Sequence, residues 1–204
     1  MTDPGYPPQP WNLRGQAYLS VWRLPVASLP ALPAGVRPLT VAGSGFVITA
    51  WVDYQPGGVL AYRELLSTVA VLDGLRIAAS ITHIWVDSPS SRDGGRALWH
   101  IPKGLAGFDM RHAQLFEASA CTPTSGIAAA RFRTLPALPA RIPAGFSVIQ
   151  QGPLRSPVRV SARPAMARAS WAIQPAGPLG FLHGRSPLAS AAARDFRMRF
   201  GTGC

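Results

Sequence analysis

Apolar residues along this chain fall into short runs with little 3.6-residue periodicity, and Gly, Pro, Asp and Ser punctuate them at nearly regular intervals. Ala17 to Leu24 is rich in β-branched and aromatic residues and reads as a strand. Gly45 to Tyr54 and Val59 to Val71 read as two more, joined across the turn Gln55-Pro56-Gly57-Gly58. Asp73-Gly74 marks another turn before Arg76 to Asp87, whose Ile81-Thr82-His83-Ile84-Trp85-Val86 centre suits a buried strand. Further strands are expected at Ala113 to Ala120, Gly126 to Leu135, Gly145 to Gln151, Pro157 to Arg163, Ala169 to Gln174 and Asp195 to Phe200. Two stretches depart from this rhythm. Pro25 to Pro38 holds too many prolines for a helix or a central strand. Ser88 to Gly95 is polar, and a short helix capped by Ser90, or an irregular turn, leads from it toward Pro102-Lys103-Gly104. Gly94-Gly95 would weaken the interior of such a helix. The expected fold is mainly β: one antiparallel, cone-shaped barrel or sheet around an apolar pocket, with few short helices.

Length and composition agree with one domain over residues 1–204, with residues 1–12 as an extended arm. A chain of 204 residues buries roughly two-thirds of its extended surface. With 48% hydrophobic and 14% charged residues, general disorder is excluded. No uninterrupted apolar run is long enough for a membrane-spanning helix, and the start Met1-Thr2-Asp3-Pro4 lacks the order of a secretory signal. A cytoplasmic protein without membrane association is expected. Cys121 and Cys204 are the only cysteines, and His83, His100, His112 and His183 are scattered, so no metal site is expected.

The formal net charge of +11 raises the question of a nucleic-acid partner. The arginines run from Arg14 to Arg199 without clustering, and in Arg131-Phe132-Arg133 and Arg197-Met198-Arg199-Phe200 they alternate with apolar residues like the wet face of a strand. No nucleic-acid partner is expected. The informative cation is a different one. Of 20 basic residues, Lys103 alone is lysine. Compositional bias accounts for the scarcity. It does not say why one lysine is kept where arginine would serve as a surface charge. An amine that must lose its proton cannot be replaced by arginine, so Lys103 is a candidate for amine chemistry, set against simple chance survival.

The segment Trp85-Val86-Asp87-Ser88 through Gly95-Arg96-Ala97-Leu98-Trp99-His100-Ile101-Pro102-Lys103-Gly104 resembles the acetoacetate decarboxylase-like superfamily. Tyr62-Arg63-Glu64 is similar to the family's Tyr-x-Glu, and Trp11-Asn12-Leu13-Arg14 to its arginine-bearing opening segment. The likeness covers the first half of the chain; the second half shares only strand-rich character. The resemblance implies a barrel enclosing an apolar pocket, no cofactor, a small-molecule carbonyl substrate and a homo-oligomer. It makes Lys103 the Schiff-base former, activated by burial or a neighbouring cation. An ordinary lysine is neutral in roughly one molecule in two thousand at pH 7, and a pKa near 7 would make half of it nucleophilic. Trp99, Ile101, Pro102, Leu105 and Phe108 are apolar residues near enough in sequence to desolvate it.

Glu64 is then the expected proton carrier at the imine, the alternative being a salt bridge to an arginine. Arg14 is a candidate clamp for a substrate carboxylate. Tyr62, Arg96 and His100 complete the candidate substrate-binding set, with Arg96 suited to bracing its loop and His100 to ordinary packing; Gln55 or Gln114 are further possible pocket residues. Two family features are missing. The second lysine of the decarboxylases is Gly104 here, and no carboxylate occupies the strand Val47-Ile48-Thr49-Ala50-Trp51, where Thr49 sits nearest. These departures favour the broader group of aldol-condensing and dehydrating members, some from secondary metabolism, over acetoacetate decarboxylation itself. The alternatives are a pocket protein that binds or cyclises a secondary metabolite without covalent catalysis, and a basic protein that binds polyanions.

Overall fold

The computed structural model describes residues 5–151 and 154–202, so Met1 to Pro4 of the expected arm and Cys204 lie outside it. The arm is shorter than expected and ends at Pro10, because Trp11 already pairs with Phe200. The long strands are β1 (Trp11–Pro25), β4 (Ser44–Tyr54), β5 (Tyr62–Asp73) and β6 (Arg76–Val86), with the short β2 (Arg37–Pro38) and β3 (Thr40–Val41) in the proline-rich segment. After the helix α1 (Pro89–Trp99) come β7 (Lys103–Leu105), β8 (Gly107–His112), β9 (Phe116–Cys121), β10 (Gly126–Thr134), β11 (Ile142–Ile149), β12 (Arg155–Ile173) and β13 (Ala189–Phe200). All thirteen strands belong to one sheet.

Seven of these strands close a ring. The order β11-β6-β5-β4-β1-β13-β12 returns to its start because β11 also pairs with β12. Ring closure removes the free edges that an open sheet would expose. Pairing is antiparallel, as expected, except that β7 and β11 each lie parallel to β6. Beyond β12 the sheet continues through β10 and β9 to β8, which forms a charged edge carrying Asp109, Arg111 and His112.

Alternation along each strand divides the apolar residues into two cores. Inside the ring lie Leu13 and Ala17 of β1, Ala50 and Val52 of β4, and Phe196 of β13. On the opposite face, Tyr18 and Trp22 of β1 and Val47 and Trp51 of β4 pack with Phe116 of β9 and Ile127 and Phe132 of β10. The central strands are therefore buried on both sides, which is why they read as continuous apolar runs.

Several sequence expectations are corrected. The strand expected from Val59 begins at Tyr62, because the Val59 N–H donates to the Asn12 carbonyl and the loop packs across β1. The two strands expected at Pro157 to Arg163 and Ala169 to Gln174 are one, β12. The strands β7 and β8 add to those expected, their short apolar pattern being interrupted by glycines and charged residues. The helix forms despite Gly94-Gly95, and its cap is Ser88 rather than Ser90. The Ser88 hydroxyl accepts from the Ser91 N–H, and Pro89 follows at the first helical position. Among the described residues, no helix is long and apolar enough to cross a membrane.

Candidate active site

The ring encloses a cavity of about 420 Å³ whose lining is almost wholly apolar. Its polar lining residues are Tyr54, Tyr62, Glu64, Thr68 and Lys103. Tyr62 and Glu64 share a face because they are two apart on β5. Across the pair Tyr54↔Tyr62 in β4, the two phenol rings stack with centroids 4.4 Å apart.

Lys103 reaches this face from β7, which lies beside β6 with Ile84 opposite Lys103. The approach is set at the end of α1. His100 adopts a left-handed conformation, its N–H donates to the Arg96 carbonyl, and the Ile101 N–H donates to the Gly95 carbonyl. Pro102 then carries the chain out of the helix. Arg96 Nε donates to the Lys103 carbonyl at 2.7 Å, bracing the backbone from outside the cavity. Lys103 as a whole residue is 4% exposed and Glu64 2%. Nζ donates to Glu64 Oε2 at 3.0 Å, to Ser91 Oγ at 2.9 Å and to Tyr62 Oη at 3.3 Å. Glu64 Oε1 accepts from Tyr54 Oη at 3.2 Å. The ammonium also lies 5.1 Å from the Tyr62 ring centroid and 5.8 Å from that of Trp11, within cation–π range.

Electrostatics correct one expectation. Burial works to lower the Lys103 pKa, but the Glu64 carboxylate and the Tyr62 oxygen outweigh it, and the net direction is upward. Lys103 therefore rests as an ammonium, not the free amine that burial alone would give. Tyr62 is pushed up to about 12, by burial first and by Glu64 second, with Lys103 opposing. Tyr54 is raised well above its ordinary value by burial and by Glu64. Both phenols stay protonated: Tyr54 donates to Glu64, and Tyr62 accepts from Lys103.

Of the sequence candidates, Lys103, Glu64 and Tyr62 converge, and Arg96 touches only the backbone of Lys103. Arg14 does not join them: it alternates with Leu13 on β1, so it faces outward and packs near Gly57. His100 is exposed and serves the helix end, its side chain away from the lining. Gln55 and Gln114 also lie off the lining. Thr49 faces the other core, where it accepts from Trp22 Nε1 at 2.9 Å. Position 104 faces away too: a Cβ on Gly104 would sit 3.2 Å from the Trp85 ring. Alternation along β7 thus turns that position from the cavity, and the missing second lysine does not explain the charge state of Lys103.

Sequence reading missed Ser91 and Gly95. Ser91 follows the Asp87-Ser88-Pro89 turn, and recognising Pro89 as the first helical residue would have placed Ser91 on the first turn. Gly95 lies four residues further along the same helical face. A Cβ there would stand 2.7 Å from Lys103 Cδ. Gly95→Ala is therefore expected to displace the lysine and to cut the reaction of its amine with an added carbonyl probe at least tenfold. Its effect on unfolding should stay within about 1 kcal/mol, since alanine favours the helix by about that much. Borohydride trapping alongside thermal denaturation checks both halves.

Residues 6–141 match the family model for acetoacetate decarboxylase. The chain belongs to that family. Membership sets it among decarboxylase-like lyases of β-rich fold. No curated protein sequence matches the chain. Among solved structures, acetoacetate decarboxylase from Legionella pneumophila is similar at 15% identity, with a TM-score of 0.76 over 98% of this chain and 88% of that one. The enduracididine biosynthesis enzyme MppR, with buffer bound, gives 14% and 0.69 over 98% and 88%. An acetoacetate decarboxylase-like enzyme from Sphingomonas wittichii gives 15% and 0.67 over 94% and 91%. Further MppR structures hold pyruvate, or the condensation product of pyruvate and imidazole 4-carboxaldehyde. At these identities the likeness establishes the fold.

Proposed function

We propose that this family member is a cofactor-independent Schiff-base lyase acting on an oxo acid or a related carbonyl compound, by decarboxylation or by aldol and dehydration chemistry. The observation that supports it most is a buried Lys103 Nζ at the polar end of an apolar cavity, 3.0 Å from the Glu64 carboxylate. Glu64 takes one proton from the ammonium, and the freed amine adds to the substrate carbonyl. As the carbinolamine forms, a second proton passes from the nitrogen to the oxygen; Glu64 then returns the first to that oxygen, which leaves as water, and an iminium remains on Nζ. That cation draws electrons from a neighbouring bond to carbon, and the carboxylate of Glu64 stands beside it as counter-charge and proton carrier. Ser91 and the two tyrosine hydroxyls hold the nitrogen and the carboxylate in place.

The test is reduction with borohydride in the presence of a panel of oxo acids, aldehydes and ketones, followed by peptide mapping. A substrate-sized adduct on Lys103 is expected. Lys103→Arg keeps the buried charge, so it should fold and lose both adduct and turnover. Full turnover in that variant would overturn the imine mechanism and favour non-covalent binding of a metabolite.

A further inference from the structure

Resting on that reading, the cavity walls narrow the substrate class. Within the lining, Lys103 and Glu64 are the charged groups, and they neutralise one another at 3.0 Å. No arginine lines the cavity among the described residues, and residues 1–4, 152–153 and 203–204 contain neither arginine nor lysine. The other polar groups are engaged. The Tyr54 and Tyr62 hydroxyls serve Glu64 and Lys103. Thr68 Oγ1 donates to the Ile48 carbonyl at 3.4 Å. The indole N–H groups of Trp11 and Trp99 point to Pro7 and Gln9. A substrate carboxylate entering this space would be a third charge with no partner, and burial of such an ion is strongly unfavourable.

Shape points the same way. The inward residues of β5 run Glu64, Leu66, Thr68, Ala70, a path of roughly 20 Å at about 3.3 Å per residue. At the end remote from Lys103, the lining residues Ile77 and Phe146 are 63% and 43% exposed, an apolar mouth. A volume of about 420 Å³ spread along that path is a sleeve, suited to an extended hydrocarbon chain.

We propose that the substrate is a neutral lipophilic ketone or aldehyde, carried on an extended hydrocarbon chain with its carbonyl at Lys103, rather than an oxo acid. With no carboxylate to lose, the reaction is of the aldol or dehydration kind. For a β-hydroxy ketone the steps balance as follows. The amine condenses with the carbonyl and releases water, and the iminium gives its α-proton to Glu64. The β-hydroxyl then leaves with that proton as a second water. Hydrolysis of the conjugated iminium consumes one water and frees Lys103 and the unsaturated ketone, so the net change is loss of one water.

The experiment compares 2-decanone with 2-oxodecanoate on the full chain. Affinity is read from quenching of the cavity tryptophans, and imine formation from borohydride trapping at Lys103. The ketone is expected to bind at least about tenfold more tightly than the acid and to give the Lys103 adduct. Ala79→Phe, which fills the sleeve near its mouth, should weaken 2-decanone binding at least about tenfold while leaving 2-butanone trapping intact. Equal or tighter binding of the acid, or no binding of the ketone, overturns the substrate class. An adduct with the acid alone would do so while leaving the imine mechanism standing. Tighter binding of the ketone without any adduct would uphold the class and remove the imine mechanism.

Discussion

Lys103→Met is expected to lose about 3–5 kcal/mol of unfolding free energy, because it leaves the Glu64 carboxylate buried without its partner. Both members of the pair are almost wholly enclosed, with side chains 5% and 3% exposed, so solvent offers little relief. The double variant Lys103→Met/Glu64→Leu removes both charges and should recover most of that loss. Urea denaturation of the two single variants and the double variant measures the coupling. Additive losses would mean that the pair is not coupled in the folded state. The pH dependence carries its own sign. Folding raises the lysine pKa above its ordinary 10.5. The stabilisation from Lys103 is thus complete below 10.5 and is lost as pH climbs through the raised value.

Glu64→Gln separates the carboxylate's two effects. Without that charge, burial is the largest remaining influence on Lys103, and it acts downward. The pH profile for trapping a carbonyl at Lys103 should therefore shift toward acid, with more free amine at neutral pH. Turnover should nevertheless fall by about 10²- to 10⁴-fold if Glu64 carries the proton as proposed. Easier trapping together with lost turnover is the expected signature. An unshifted trapping profile would show that Glu64 does not set the charge of Lys103.

Much of the barrel is legible in the chain. β4, β5 and β6 are apolar on both faces and bounded by turn residues, so local pattern finds them. β12 escapes because Pro164 looks like a break. In the structure Pro164 falls between two partners: β11 pairs with β12 only as far as Ala162, and β10 begins at Ala167. On that side no ladder needs the missing proline N–H, while the other side continues with β13 through the pair Pro164↔Ala193. The site shows a similar division. Tyr62 and Glu64 are two apart on a strand, and Lys103 is the sole lysine, so local reading reaches all three. The charge state of Lys103 was not legible, because it depends on a carboxylate 39 residues away, with the strand β6 and the helix α1 between them in the chain. The outward directions of Arg14 and Gly104 follow from strand alternation, which needs the exact register. Gly95 was read for its helix propensity, whereas its role lies in the space it leaves for a neighbour.

The passage of β12 from one partner to another joins the two cores mechanically. Its first half, beside β11, is a stave of the ring, and its second half, beside β10, carries the outer layer that covers Trp22 and Trp51. Neither layer can separate from the other without breaking this common strand. Unfolding should therefore proceed as a single cooperative event, with amides of β10 and β11 exchanging with solvent together rather than in succession.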